Sequence, residues 1–320
     1  MSVIGTDIHY ATELLRQGDI VAIPTETVYG LAANAFNPDA VIKIFQAKQR
    51  PAFDPLIVHI HDRSQVASIA SELPPGVSKL MDAFWPGPLT LVLPKTDQVP
   101  DIVTSGLNTV GVRMPAHPMA LELLRSLPFP LAAPSANPFG YVSPTTAQHV
   151  ADQLGEQVPY ILDGGPCTVG VESTILGWEH SDTSTEGQWV LYRPGGIAIE
   201  ELEAVIGSIS AVVKTVTLVA PGMLESHYAP RKPVYLGDVR DLLITHQGQR
   251  VAVISLSEEY PAWRCERLSP VDDLNEAARN LFGVLRDLDR SDADVILAEV
   301  FPELGLGRAI NDRLRRAAAK

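Results

Sequence analysis

Along residues 1–206, short apolar runs stopped by proline, glycine or polar residues alternate with segments whose apolar positions recur at helical spacing. "DIVAIP" is one such run, closed by proline, and predicts a buried strand. In "NPDAVIKIFQAK", Val41, Ile44 and Phe45 share one helical face after an Asn-Pro start signal, which predicts a helix. "PLIVHI", "LTLVLP", "TVGVRMP", "PLAAPSA", "YILDGG" and "ESTILGW" predict further strands, and "HPMALELLRSL" and "TTAQHVADQLG" predict helices between them. The mixture implies an α/β domain over 1–206 whose strand ends carry polar loops, where ligands usually bind.

From 207 to 232 the pattern weakens into a linker. "PGMLESHYAPRKP" carries Pro221, Pro230 and Pro233, yet Met223, His227 and Tyr228 are larger than a passive spacer needs. Beyond it, "PVYLGDV", "RVAVISLS" and "ADVILAEVF" alternate with helix-like "LNEAARNLFGVLRDLDR" and "GRAINDRLRRAA", predicting a small βαβ-type domain over 233–320.

Composition narrows the class. With 46% hydrophobic and 20% charged residues over 320, the chain has the makeup of a soluble globular protein with a sizeable core. No apolar run approaches the roughly 20 residues of a membrane span, and the N-terminus lacks signal-peptide regions. Cys167 and Cys265 fit no metal-ligand spacing, so a reduced, cytoplasmic compartment is expected. The formal charge is −13, and residues 1–206 hold 10 Lys/Arg against 22 Asp/Glu. So few cations argue against a broad nucleic-acid face and make each cation informative.

Two of them flank a glutamine in "IFQAKQRP". A cation in the last helical turn ordinarily serves the dipole and the free carbonyls. Lys48, however, lies on the buried stripe with Val41, Ile44 and Phe45, and Pro51 biases Arg50 towards an extended backbone. In an extended segment, residues 48 and 50 would face one way and repel each other unless an anion sat between them. Capping and an anion grip are both compatible with the pattern.

Other stretches carry weaker signals. "IPTETVYGLAANAF" (23–36) reads as a hairpin or loop with hydroxyl back-bonding, and also offers polar groups at a strand end. In "LAAPSANPFGYVSPTT" (131–146), small residues permit close backbone approach, while Ser135, Asn137 and Ser143 offer donors. His59 and His61 share a strand face without a second cluster of metal ligands. "DGGPCTVGVESTI" is glycine-rich but lacks both the P-loop and dinucleotide fingerprints, and the chain has no GxSxG elbow or HExxH.

Taken together, "PTETVYGL", "KQR" followed by "PLIVHI", "WPGPLTLVL", "VRMPAHP", "APSAN", "GVESTI", "RPGG" and "HYAP" occur in order. This closely resembles the long form of the threonylcarbamoyl-AMP synthase family, almost continuously through residue 206 and more loosely over the last ninety. The resemblance implies a YrdC-like twisted mixed sheet with flanking helices, plus a small Rossmann-like α/β C-terminal domain. It implies that L-threonine, bicarbonate (or CO2) and ATP give threonylcarbamoyl-AMP and pyrophosphate. Downstream threonylcarbamoyl-transferase proteins would then use the product to modify tRNA.

By motif matching, the resemblance places Lys48, Arg50, Ser135 and Asn137 at the nucleotide and its phosphates, with Lys48 and Arg50 as the catalytic pair. Thr109, Ser143 and Arg193 would join the ATP site, with Tyr228 reaching it from the linker. Thr27, His59, Arg113, Ala133 and Ser173 would surround threonine. Neither chemical step needs an enzyme nucleophile, so the work is positioning and electrostatics, typically with Mg2+ accompanying ATP. Arg113 suits a carboxylate, and Lys48, Arg50 and Arg193 suit a triphosphate. One departure is Asp54, which stands where many members have asparagine.

Two rivals are weighed. An RNA-binding module is disfavoured by the cation count, which argues against stable tRNA binding. A carbamoyl-transferring enzyme of hydrogenase maturation would carry acylphosphatase-like and zinc-finger-like parts, whose signatures the chain lacks.

Overall fold

The computed structural model describes residues 3–180, 187–211 and 226–319. Pro221 and Met223 of the predicted linker lie outside the described residues.

The first part builds an eleven-stranded mixed sheet. Its strands lie side by side as Val3–Gly5, Tyr160–Leu162, Val21–Ile23, Gly30–Asn34, Leu131–Ala132, Ile57–His59, Thr109–Arg113, Leu89–Pro94, Thr174–His180, Gly187–Arg193 and Ser210–Ala211. The seven apolar runs of the sequence fall into this order in space, far from their order in the chain. Gly30–Asn34 lies in the stretch read as a hairpin or loop, and it is the second arm of that hairpin, antiparallel to Val21–Ile23. Its "GLAAN" has no β-branched residue; burial between two neighbouring strands holds it extended, where propensity alone would not.

The predicted helix runs Pro38–Lys48, and the Asn37 side chain accepts from the backbone N–H groups of Asp39 and Ala40. It ends differently from the expectation. Gln49 is left-handed (φ 51°, ψ 39°), and the Arg50 N–H returns to the Phe45 carbonyl at 2.9 Å. A left-handed cap closed by this long backbone bond, not an extended alternation, brings the chain from Lys48 to Arg50.

The C-terminal sheet is four-stranded and wholly parallel, in the order Val234–Leu236, Val295–Ala298, Val251–Ser255, Arg264–Arg267. Alternate residues divide between its faces, as strand geometry requires. Val251, Val253, Val295 and Leu297 pack with the helix Val239–Thr245. Ala252, Ile254 and Ile296 pack instead with the helices Leu274–Arg290 and Gly307–Ala318. That second cluster also takes in Val28, Val142, Val171 and Tyr228, so one apolar core joins the C-terminal helices to loops of the large sheet. Among the described residues, no helix is long and apolar enough to cross a membrane.

Candidate active site

Three adjacent strands place His59, Arg113 and Thr90 opposite one another, since His59 pairs with Arg113 and Arg113 with Thr90. Residues paired this way present their side chains to one face of the sheet. Beside this row opens a narrow cleft. Thr27, Arg50, His59, Arg113, Ala133, Ser135, Ser173, Arg193 and Tyr228, all singled out in the sequence, line it. Gly30 sits on its wall with little room beside it: a Cβ there would stand 3.3 Å from that of Ala133, which would have to give by a few tenths of an ångström.

Arg113 is buried and closely held. Its Nη1 donates to Thr27 Oγ1 at 2.9 Å and its Nε to the Gly87 carbonyl at 3.3 Å. Its Nη2 lies 2.7 Å from Glu26 Oε1, a charge contact in which neither Glu26 oxygen accepts an aligned hydrogen bond. Ser173 Oγ meets Thr90 Oγ1 at 2.8 Å, which ties the "GVESTI" loop to the same row. Burial, with Arg113 adding repulsion, lowers the His59 pKa to about 3, so this imidazole is neutral at physiological pH. The site therefore offers a fixed guanidinium, charge-paired with Glu26, among neutral hydroxyl and imidazole groups.

The opening cations take different places. Lys48 is 1% exposed, and its ammonium donates to the backbone carbonyls of Ser135 and Asn137, joining the helix end to the "APSAN" loop. Arg50 lines the cleft, with Nε and Nη2 donating to the carbonyls of Asp54 and Pro55 at 3.0 and 2.8 Å. Asp54 is thus accounted for: its carboxylate lies 2.9 Å from Arg50 Nη2, with both side chains buried. Arg193 donates to the Ser173 carbonyl at 2.9 Å and to Ser173 Oγ at 3.2 Å. Burial lowers the pKa values of Lys48, Arg50 and Arg193 chiefly by desolvation; Arg50 adds repulsion at Lys48, Asp54 partly offsets the lowering at Arg50, and Arg313 supplies the repulsion at Arg193. Three desolvated cations this close favour an anion, which offsets both effects.

Tyr228 is buried in a left-handed conformation (φ 60°), an uncommon state for a bulky residue, and its hydroxyl has no hydrogen-bond partner among the described residues. His227 packs edge-on against it, with ring centroids 4.2 Å apart. Asn137 and Ser143 lie behind the lining. Asn137 donates to the carbonyls of Pro138 and Tyr141, while Ser143 donates to Glu172 Oε1. Thr109 is not brought in: it begins the strand that Arg113 ends, about 13 Å away at strand rise, and does not line the cleft. Glu172 and His227 line the cleft without having been assigned. Both stood inside quoted motifs, and a carboxylate next to Ser173 in an otherwise apolar segment was the available signal for Glu172.

A family profile described as "Telomere recombination" matches residues 13–195, and one described as "Threonylcarbamoyl-AMP synthase, C-terminal domain" matches residues 197–319. The chain belongs to the threonylcarbamoyl-AMP synthase family. It is 46% identical to the threonylcarbamoyl-AMP synthase of Pyrococcus abyssi, over 97% of this chain and 94% of that one. To the Bacillus subtilis threonylcarbamoyl-AMP synthase it is 43% identical, over 99% and 94%. The crystal structure of P. abyssi Sua5 complexed with L-threonine superposes with a TM-score of 0.91 at 44% identity, covering 99% of this chain and 97% of that one. The likeness to these synthases therefore spans both sheets.

Proposed function

We propose that this protein is an L-threonylcarbamoyladenylate synthase, a nucleotidyltransferase that joins L-threonine, bicarbonate or CO2, and ATP into threonylcarbamoyl-AMP with release of pyrophosphate. The observation that carries the reading is one cleft lined by the carboxylate-sized fork of Arg113 and by the desolvated cations Arg50 and Arg193.

Threonine's α-carboxylate is taken by Arg113, with Thr27, His59, Ala133 and Ser173 around the rest of the amino acid. Burial and the Arg113 charge, which keep His59 neutral, act on the amine in the same sense and favour its unprotonated, nucleophilic form. The amine lone pair forms an N–C bond with CO2 and loses a proton, giving the carbamate. A carbamate oxygen then attacks the α-phosphorus, the bond to the β-phosphate's bridging oxygen breaks, and pyrophosphate leaves. Arg50 and Arg193 stabilise the charge moving onto pyrophosphate, and Lys48 holds the Ser135–Asn137 loop that receives the nucleotide. Tyr228 completes the ATP site in this reading, with Ser143 behind the lining; Thr109, which does not line the cleft, is left out of it.

Mg2+ enters as part of the Mg·ATP substrate. Among the described residues no three His, Cys, Asp or Glu side chains cluster as a cage, and Asp54 and Glu172 are each engaged by an arginine. This arrangement supports a metal held by phosphates and water. The product passes to threonylcarbamoyl-transferring proteins acting on tRNA, which places the reaction in the cytoplasm.

Labelled bicarbonate tests the proposal. Label should enter an adenylated product with pyrophosphate release that requires threonine. Pyrophosphate release independent of both threonine and bicarbonate rejects it.

A further inference from the structure

Glu172 is a carboxylate on the wall of a cleft that, in the function just proposed, receives a triphosphate. Left unpaired there, it would repel the nucleotide. Its partner comes from the C-terminal helix. Arg313, in the helix Gly307–Ala318, is fully buried, and its Nε donates to Glu172 Oε2 at 2.9 Å. Its Nη1 donates to the Pro194 carbonyl at 2.7 Å, and the guanidinium carbon lies 5.1 Å from the Tyr228 ring centroid. The other Glu172 oxygen accepts from Ser143. Arg313 itself does not line the cleft.

We infer that Arg313 is a positioning residue through which the C-terminal domain completes the nucleotide site, by neutralising Glu172 and seating Tyr228. Burial alone would raise the Glu172 carboxyl; Arg313, and then Arg193, more than offset that and hold it below the usual carboxylate range. The carboxylate is thus kept ionised and turned onto the arginine and Ser143. This role rests on the proposed function, because it presupposes a triphosphate in the cleft.

The test is steady-state pyrophosphate release by the full chain and three variants, with Mg·ATP and threonine varied separately. Arg313→Met should raise KM for Mg·ATP at least tenfold and leave KM for threonine within about twofold. Arg313→Lys keeps the charge but loses the fork that spans Glu172 and Pro194 and lies over the Tyr228 ring, so its KM for Mg·ATP should fall between those of the parent and Arg313→Met, with KM for threonine within about twofold. Arg313→Met combined with Glu172→Gln should return KM for Mg·ATP to within about threefold of the parent, which a purely structural arginine would not do. An unchanged KM for Mg·ATP in folded Arg313→Met, or no recovery in the double variant, overturns the inference. If Arg313→Met does not fold, the double variant decides, and a tenfold rise there overturns the inference as well. A parent protein that releases no pyrophosphate refutes the proposed function instead.

Discussion

The Lys48 ammonium bonds the backbone carbonyls of Ser135 and Asn137, so the end of one helix is tied to a loop almost ninety residues further along the chain. Lys48 therefore does more than cap its own helix. It fixes the loop that carries Ser135 into the cleft.

Lys48→Met should accordingly lose both stability and turnover. Two carbonyls lose their donor, at about 1–3 kcal/mol each, so urea unfolding should show a loss of about 2–6 kcal/mol. Parent-like stability with lost turnover would instead mean that Lys48 acts on the ligand directly.

Arg50→Ala leaves Asp54 buried without its cation, which should destabilise the fold by about 3–5 kcal/mol. Adding Asp54→Asn should restore most of that stability and none of the turnover, because Arg50 still no longer faces the cleft. Recovery of pyrophosphate release in the double variant would remove Arg50 from the reaction.

Arg113→Lys keeps the charge and loses the planar fork that reaches Thr27 and Gly87. KM for threonine should rise about 10- to 100-fold, equivalent to about 1.4–2.7 kcal/mol, with KM for ATP little changed. An equal rise in both would place Arg113 outside the threonine site.

His59 binds its proton far less readily in the folded protein than in the unfolded chain, and burial depresses His227 in the same direction. Between the unfolded value of about 6.5 and the folded ones, the unfolded chain holds more protons. Stability is therefore complete above about pH 6.5 and falls as the pH is lowered, by up to about 1.4 kcal/mol per pH unit for each group. Urea midpoints at pH 7, 6 and 5 should show this decline, and His59→Gln should make it shallower. A slope unaffected by that substitution would show that His59 does not titrate on unfolding.

Cys167 is buried, and desolvation followed by the nearby Glu26 charge pushes its thiol up, whereas Cys265 is half-buried. Iodoacetamide at pH 8 should label Cys265 in the native protein and both cysteines in urea, as read by mass spectrometry. Native labelling of Cys167 would reveal opening of the segment behind the cleft.

Much of this was legible along the chain. The apolar runs at 20–24, 55–60, 89–94 and 109–113 are strands, Asn37 caps the predicted helix, and the quoted motifs hold most of the cleft lining. These features depend on neighbours within a few residues, which periodicity and turn chemistry record. The extended state of Gly30–Asn34 and the pairings of Lys48 with the Ser135 loop and of Arg313 with Glu172 were decided by tertiary structure alone. The sheet sets side by side strands that are distant in the chain, and a buried charge takes whichever partner that packing delivers; Glu172 and Arg313 lie 141 residues apart, beyond the reach of any local pattern.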